Sequence, residues 1–272
     1  MTQDSSYLNL PKPQAFLDHK YGEKVRLVST PYLMSVLARV CEGKTRQPEF
    51  NQLINILYQG LIETVVSSLF PTVKTTVHSR MEAYHPEGVF QADLIDPNLQ
   101  VVTVDLARAG TGPSNLAFEF CHTILRPDNI RQDHFYVNRK VNEAGQVIGV
   151  DMSGSKIGGD VENKIVLFPD PMGATGGTIS HALKHYQNTV GGKARFYVSL
   201  HLIVTPEYLT LMKKEHPDLH IFAIRLDRGL SSEKVLNSIP GTYWQEEKGL
   251  NQLQYIVPGG GGFGELMNNT LK

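Results

Sequence analysis

One segment of the chain combines an acid, a turn of small residues and a helix start, in an order that favours anion binding. The acid is Asp170, which follows the apolar run 164–168, and the turn comprises residues 174–178. Backbone N–H groups at a helix start are unpaired and carry the positive end of its dipole, so they bind phosphate. We expect Thr178 to cap this helix or to donate its hydroxyl to a phosphate oxygen. The P-loop lysine spacing is missing, and an acid ahead of the glycines suggests a ligand with hydroxyl groups near its phosphate.

Two further loops carry residues suited to a phosphorylated ligand. Arg108 lies in the turn 107–113, directly after an apolar run, and Arg139 ends the stretch 136–139. A guanidinium group makes bidentate contacts with phosphate oxygens. Near the C-terminus, residues 255–265 join a Tyr-Ile-Val-Pro run to a glycine-rich turn.

Alternating strand and helix patterns predict the element that positions these loops, a mostly parallel sheet flanked by helices. Buried strands are predicted at 100–106, 133–137, 164–168, 194–204 and 221–225, and helices at 114–125, 178–189 and 205–215. Because ligands in such sheets bind at the carboxyl ends of the strands, the loops after 100–106 and 164–168 should face the same ligand.

The first part of the chain predicts helices rather than sheet. Apolar residues recur at helix spacing over 31–40 and 48–70, ahead of two short strands at 73–78 and 89–94. We interpret 1–24 as an irregular arm and 25–272 as a single domain that includes a hood segment at 226–265. Residues 138–163 are predicted to form a long loop or a hairpin.

Composition narrows the class of protein. A chain of 272 residues with 41% hydrophobic content is typical of globular proteins, and the net charge of −1 gives no reason to expect nucleic acid or a membrane as partner. The only cysteines, Cys41 and Cys121, are far apart, which favours a reduced, cytoplasmic setting. We find no secretory signal pattern and no apolar run of the ~20 residues needed to span a bilayer.

Together, the three loops resemble those of the uracil phosphoribosyltransferase family, which belongs to the type I phosphoribosyltransferases. The matching stretches are Arg108-Ala109-Gly110, Asp170-Pro171-Met172 with Ala174-Thr175-Gly176-Gly177, and Tyr255-Ile256-Val257-Pro258-Gly259. The resemblance runs from about residue 25 to 265. It implies an α/β fold with an N-terminal helical element and a C-terminal hood.

The resemblance also implies a reaction and its residues. The enzyme would make uridine monophosphate (UMP) and pyrophosphate from uracil and 5-phosphoribosyl 1-diphosphate (PRPP), with Mg²⁺ carried on phosphate oxygens. Catalytic roles fall to Asp170, Arg108 and Arg139, while Lys156 matches a family lysine only loosely. Substrate binding would also involve Met172, Ala174, Thr175, Gly176, Gly177, Thr178, Tyr255, Ile256, Gly261 and Gly262. A homodimer or higher oligomer and a nucleotide effector such as GTP are further family expectations.

The chain departs from the family at two places. Gly262 stands where the hood of the family has an aspartate, with Glu265 as the second acid, and residues 231–248 form an insertion. Two alternatives therefore stay open: a phosphoribosyltransferase for another base, or a catalytically silent protein that binds PRPP or a nucleotide as a regulator.

Overall fold

The computed structural model describes residues 6–8, 10, 12, 16–141 and 147–270, with the backbone alone over 138–141 and 147–152. Its strands are β1 (Val25–Leu27), β2 (Thr72–His78), β3 (Val89–Ile95), β4 (Val101–Ala107), β5 (Ile130–Val141), β6 (Val147–Lys156), β7 (Ile165–Pro169), β8 (Met172–Gly173), β9 (Phe196–Val204) and β10 (His220–Leu226). Its α-helices are α1 (Pro31–Cys41), α2 (Glu49–Leu69), α3 (Thr111–His122), α4 (Gly177–Asn188), α5 (Pro206–Glu215), α6 (Glu233–Leu236) and α7 (Phe263–Met267).

The predicted parallel sheet is confirmed. Strand order is β1-β10-β9-β7-β4-β5-β6, with β8 paired to β9. In this sheet, the neighbouring strands β1, β10, β9, β7, β4 and β5 are all parallel. At the end of the sheet, β6 runs antiparallel to β5. Because β4 and β7 are neighbours, the loops that follow them open at one edge of the sheet, as predicted.

Each face of the sheet is covered by helices, because successive strand residues point to opposite faces. Val101, Ile165 and Leu167 pack in one core with buried residues of α1, α2 and α3. The residues that follow each of them in the strand point to the opposite face and pack in a second core with buried residues of α4 and α5.

Helix starts follow local sequence signals at α1 and α5. Thr30 caps α1 by accepting from the backbone N–H of Leu33, and Pro31 occupies the first turn, where its missing N–H costs nothing. Thr205 caps α5 in the same way. The other described α-helices begin without a side-chain cap. In α4, Gly176 is the N-cap residue and Thr178 lies inside the first turn, so the prediction that Thr178 caps the helix is wrong.

Several elements were absent from the sequence-based prediction or differ from it. The stretch predicted as a long loop or hairpin is a hairpin of β5 and β6, with backbone pairing from His134 to Val141. The three-residue strand β1 joins the edge of the sheet beside β10. Much of the arm at 1–24 lies outside the described residues, and the division into an arm and a single domain stays a prediction.

The insertion at 231–248 folds around a buried ion pair. Arg228 donates to the Glu247 carboxylate at 2.8 Å, and its guanidinium also donates to the backbone oxygens of Val235 and Ser238. Glu247 additionally accepts from the hydroxyl of Tyr21. The insertion is thereby joined to the segment that precedes β1.

No helix within the described ranges is long and apolar enough to cross a membrane. Cys41 and Cys121 are both free thiols.

Candidate active site

A cleft of about 560 Å³ opens at the carboxyl ends of β4 and β7. Its walls come from four separated parts of the chain: the turn after β4, the β5–β6 hairpin, the loop from Asp170 into α4, and the hood. Asp170 and Arg108 both line it, so the topology brings together the acid and the cation that the sequence singled out.

The loop after β7 is held from behind through its carbonyl groups. The oxygen of Pro171 accepts from the backbone N–H groups of Leu202 and Ile203. The backbone oxygen of Ala174 accepts from the Thr205 hydroxyl at 2.7 Å. With the carbonyls directed into the protein, the remaining backbone donors of the loop are available to a ligand.

The turn into α4 offers backbone N–H groups to an anion. Among the described residues, no hydrogen bond is recorded for the backbone N–H of Thr175, Gly176 or Thr178. Gly176 has a φ of +83°, and a Cβ there would come within 2.8 Å of Met212 Cε. Glycine is therefore required both by the backbone conformation and by the close approach of α5.

A buried histidine fixes the backbone of Asp170. Since a carbonyl only accepts, the Nδ1–H of His201 donates to the Asp170 oxygen at 2.6 Å, and Nε2 lies 2.8 Å from the hydroxyl of Tyr208. Complete burial lowers the pKa of His201 to about 4, so the ring stays neutral at physiological pH. This neutral ring supports the cleft loop without bringing a charge into the core.

The turn after β4 is braced by a second carboxylate. Asp105, which is almost fully buried, accepts from the Thr111 hydroxyl at 2.9 Å and lies 2.9 Å from Nδ1 of His134. These contacts tie the start of α3 to the neighbouring strand β5. The Ala107–Arg108 peptide bond at the top of this turn is cis.

The side chain of Arg108 reaches across the mouth of the cleft to the C-terminal region. It donates to the Thr270 hydroxyl at 3.2 Å and lies 3.6 Å from the carboxylate of Glu265. Both charged side chains are about half exposed, so this ion pair is weak and open to displacement by a ligand.

The hood is fixed at both ends of its glycine-containing loop. Asp227 accepts from the N–H of Gly259 at 2.7 Å, while Arg225 donates to the oxygen of Gly259 at 2.9 Å. At the other end, the Glu207 carboxylate accepts from the N–H groups of Gly249 and Leu250. The segment between them presents Tyr255 and Ile256 to the cleft.

Comparison with known proteins assigns the chain to a family. The family model for uracil phosphoribosyltransferase matches residues 27–242. The chain belongs to the uracil phosphoribosyltransferase family. Members of this family are phosphoribosyltransferases, which are enzymes that transfer a pentosyl group.

Individual relatives agree with this assignment. A uracil phosphoribosyltransferase of Variovorax paradoxus is 25% identical over 80% of this chain and 93% of its own length. One from Campylobacter curvus is 22% identical over 92% of this chain and its own full length. A solved protein of Aquifex aeolicus has the same fold, with a TM-score of 0.67 and 20% identity over 89% of this chain and 97% of its own.

Within this uracil phosphoribosyltransferase fold, most of the predicted site residues meet in the cleft. Those that line it are Asp170, Arg108, Met172, Ala174, Thr178, Tyr255, Ile256, Gly261 and Gly262. Thr175, Gly176 and Gly177 form the turn without lining the cleft wall. The side chain of Arg139 lies outside the described residues, and Lys156 is an exposed residue at the end of β6 that does not line the cleft. The roles of all these residues stay predictions.

Several residues of the cleft and its support were not singled out by sequence reasoning. Tyr136 lines the cleft, and His201 supports it from behind. Glu265, which the sequence marked only as a departure from the family, also lines the cleft. Arg225 and Asp227 carry a readable signal, because residues two apart at a strand end lie on one face and are of opposite charge. His201 carried no such signal, because its partner Tyr208 comes from the following helix.

Magnesium fits the cleft only as an ion shared with a substrate. Within the described residues, no group of three His, Cys, Asp or Glu side chains could hold a metal ion. Mg²⁺ usually binds through one or two carboxylates together with substrate phosphates. The Asp170 carboxylate at the cleft wall meets that requirement.

Proposed function

We propose that this protein transfers the 5-phosphoribosyl group of PRPP to uracil, forming UMP and pyrophosphate. The observation that carries the proposal is that Asp170, Arg108, the hood and both ends of the N–H-rich turn, at Ala174 and Thr178, line one cleft. Family membership supports the same reaction.

The chemistry explains why such a cleft is needed. A ring nitrogen of uracil forms a bond to C1 of the ribose while the bond from C1 to the diphosphate oxygen breaks. The proton of that nitrogen is released, to water or to the departing diphosphate. Positive charge develops on the ribose ring and negative charge on the departing diphosphate. The protein accelerates this step by orienting both reactants and by placing charges where charge develops.

Each part of the cleft suits one part of the substrates. In the turn 174–178, the backbone N–H groups of Thr175, Gly176 and Thr178 would bind the 5-phosphate. Asp170 would accept hydrogen bonds from the ribose hydroxyls. Arg108 and Arg139 would bind the diphosphate, with Met172 beside the sugar. Tyr255 and Ile256 would position the base, with hydrogen bonds from the backbone at Gly261 and Gly262.

Magnesium would enter the site with PRPP, held by diphosphate oxygens and by Asp170. When bound, it would offset the negative charge of the leaving diphosphate.

The decisive experiment measures pyrophosphate release from PRPP and Mg²⁺ with uracil and with a panel of other bases. Release with uracil supports the proposed function. Release only with another base would show that the protein is a phosphoribosyltransferase with the proposed mechanism but a different base as substrate. PRPP binding without release on any base would favour a regulatory protein.

The remaining family expectations extend the proposal. We propose a cytoplasmic enzyme that acts as a homodimer or higher oligomer and that responds to a nucleotide effector such as GTP. Sedimentation analysis with and without GTP, combined with the release assay, tests both properties.

A further inference from the structure

Glu265 lies where a side chain at Gly262 would have to go. A Cβ built on Gly262 would overlap the Oε2 atom of Glu265. By the resemblance of the hood to that of the family, position 262 is one where an aspartate is expected. The chain therefore lacks a carboxylate at 262 but has one, from Glu265, in the space beside it.

The backbone fixes Glu265 in this place. Helix α7 begins at Phe263, whose ring is buried and packs edge-on against Phe50 at 5.2 Å. At its far end, Gln47 of the α1–α2 connection donates to the backbone oxygen of Leu266 at 3.0 Å, and Asn51 donates to that of Met267 at 3.2 Å. Glu265 therefore projects from a helix that is attached at both ends.

The carboxylate of Glu265 faces the reaction cleft. Glu265 lines the cleft together with Asp170 and Arg108. Its ion pair with Arg108 is 3.6 Å long, and the side chain is 45% exposed. An exposed pair of this length contributes little to folding, and an acid in the first turn of α7 stabilises the helix by about 0.3–1 kcal/mol. What distinguishes this first-turn acid is that it lines the cleft.

We infer that Glu265 is a substrate-binding residue of this enzyme, whose carboxylate replaces the one missing at Gly262. This inference rests on the proposed function. A carboxylate at the cleft wall accepts hydrogen bonds, so its partner is a donor of the bound substrates, either a ribose hydroxyl of PRPP or a ring N–H of the base. With glycine at 262 the Glu265 carboxylate occupies this place, and a side chain at 262 would displace the end of the Glu265 side chain.

Moving the carboxylate tests the inference. The variants are Glu265→Ala, Gly262→Asp and the double variant Gly262→Asp/Glu265→Ala, each assayed for kcat and for both KM values. Glu265→Ala should lower kcat/KM for one substrate by about tenfold or more, as expected for a lost hydrogen bond to a charged group. Gly262→Asp should also lower it, because two carboxylates then compete for one place. The double variant should recover most of the loss.

The two kinetic constants identify the donor. A rise confined to KM for PRPP assigns it to a ribose hydroxyl, and a rise confined to KM for uracil assigns it to the ring N–H. Glu233→Ala is the matched control, since Glu233 also lies in the first turn of a short helix but is exposed and outside the cleft; its kinetics should equal those of the wild type. Melting curves exclude unfolding as the cause.

Two results would overturn the inference: near-wild-type kinetics for Glu265→Ala, or a double variant no more active than Glu265→Ala. If the wild type releases no pyrophosphate with any base, the proposed function fails, and the same variants are compared for PRPP binding by calorimetry. Loss in Glu265→Ala with recovery in the double variant then still supports Glu265 as a binding residue. Equal affinities in all variants overturn it.

Discussion

Asp227 and Gly259 are joined by a 2.7 Å hydrogen bond from the Gly259 N–H to the Asp227 carboxylate, which fastens the hood to the end of β10. Asp227 is buried and is also paired with Arg225, whose guanidinium donates to the oxygen of the same glycine. One buried ion pair therefore holds both polar groups of a single hood residue.

Replacing Asp227 with Ala should destabilise the protein and weaken base binding. Arg225 would be left without its carboxylate partner, and breaking a buried pair in this way costs about 3–5 kcal/mol. Urea unfolding measures the stability, and KM for uracil measures the hood. Asp128→Ala is the control, because Asp128 is exposed and should change stability by no more than about 0.5 kcal/mol. Equal unfolding midpoints for Asp227→Ala and the wild type would contradict this role.

Asp170→Asn should lower turnover by about 100-fold or more, because the site loses a charge aligned with the developing positive charge of the ribose. The hydrogen bond from His201 should be kept, since it is accepted by the main-chain oxygen of Asp170, and the melting temperature separates a loss of turnover from unfolding. Pyrophosphate release and calorimetric melting check both statements. Near-normal turnover in this variant would contradict the catalytic role assigned to Asp170.

Arg108→Ala should raise KM for PRPP by about tenfold or more, because a charge-assisted contact to the diphosphate is lost. Stability should change little, since the contacts of Arg108 with Thr270 and Glu265 are half exposed. The exposed Arg126 offers a control of the same charge. An identical KM in Arg108→Ala and Arg126→Ala would show that Arg108 does not bind the diphosphate.

Gly176→Ala should destabilise the protein by about 1–3 kcal/mol, because it forces a side chain into a left-handed backbone conformation and against Met212. It should also weaken PRPP binding by shifting the N–H groups of the turn. Gly191→Ala is the control, because a Cβ there meets nothing closer than 3.9 Å. Chemical unfolding and PRPP titration give the two readouts, and matching results for both alanine variants would refute the expectation.

Acid should destabilise the protein partly through His201. Burial lowers its pKa to about 4 in the folded state, so below the ordinary value of about 6.5 the unfolded chain binds a proton that the folded chain does not. Stability is therefore fully present above that value and falls as the pH drops towards 4. By pH 5 the loss from this residue should be about 2 kcal/mol. Unfolding curves between pH 7 and 5 test this, and His201→Gln should show a correspondingly shallower loss; an equal loss in both proteins would contradict it.

The sequence predicted those parts of the fold that depend on local signals. Thr30-Pro31 marked the start of α1, and the apolar runs at 164–168 and 194–204 marked central strands. The glycines and Asp170 marked the cleft loop, because their chemistry is concentrated in a few consecutive residues.

The remaining features depend on contacts between distant parts of the chain. Strand β1 has only the residues 25–27 and is stabilised by pairing with β10, so no periodicity could reveal it. Glu265 was visible as a residue that differs from the family, and its place beside Gly262 follows from local helix geometry, since it lies three residues after the N-cap of α7. Its place in the cleft, however, depends on the packing of α7 against α2. Such relationships arise from packing, which single-sequence patterns do not encode.

The attachment of the hood also bears on the energetics of ligand capture. A loop that had to be ordered by its ligand would lose conformational freedom on binding and so lower the affinity. Here Asp227 and Arg225 hold Gly259, and Glu207 holds Gly249, without any ligand. The cost of ordering the segment 249–259 therefore falls on folding, and the base meets Tyr255 and Ile256 in a preorganised segment whose affinity is not reduced by that cost.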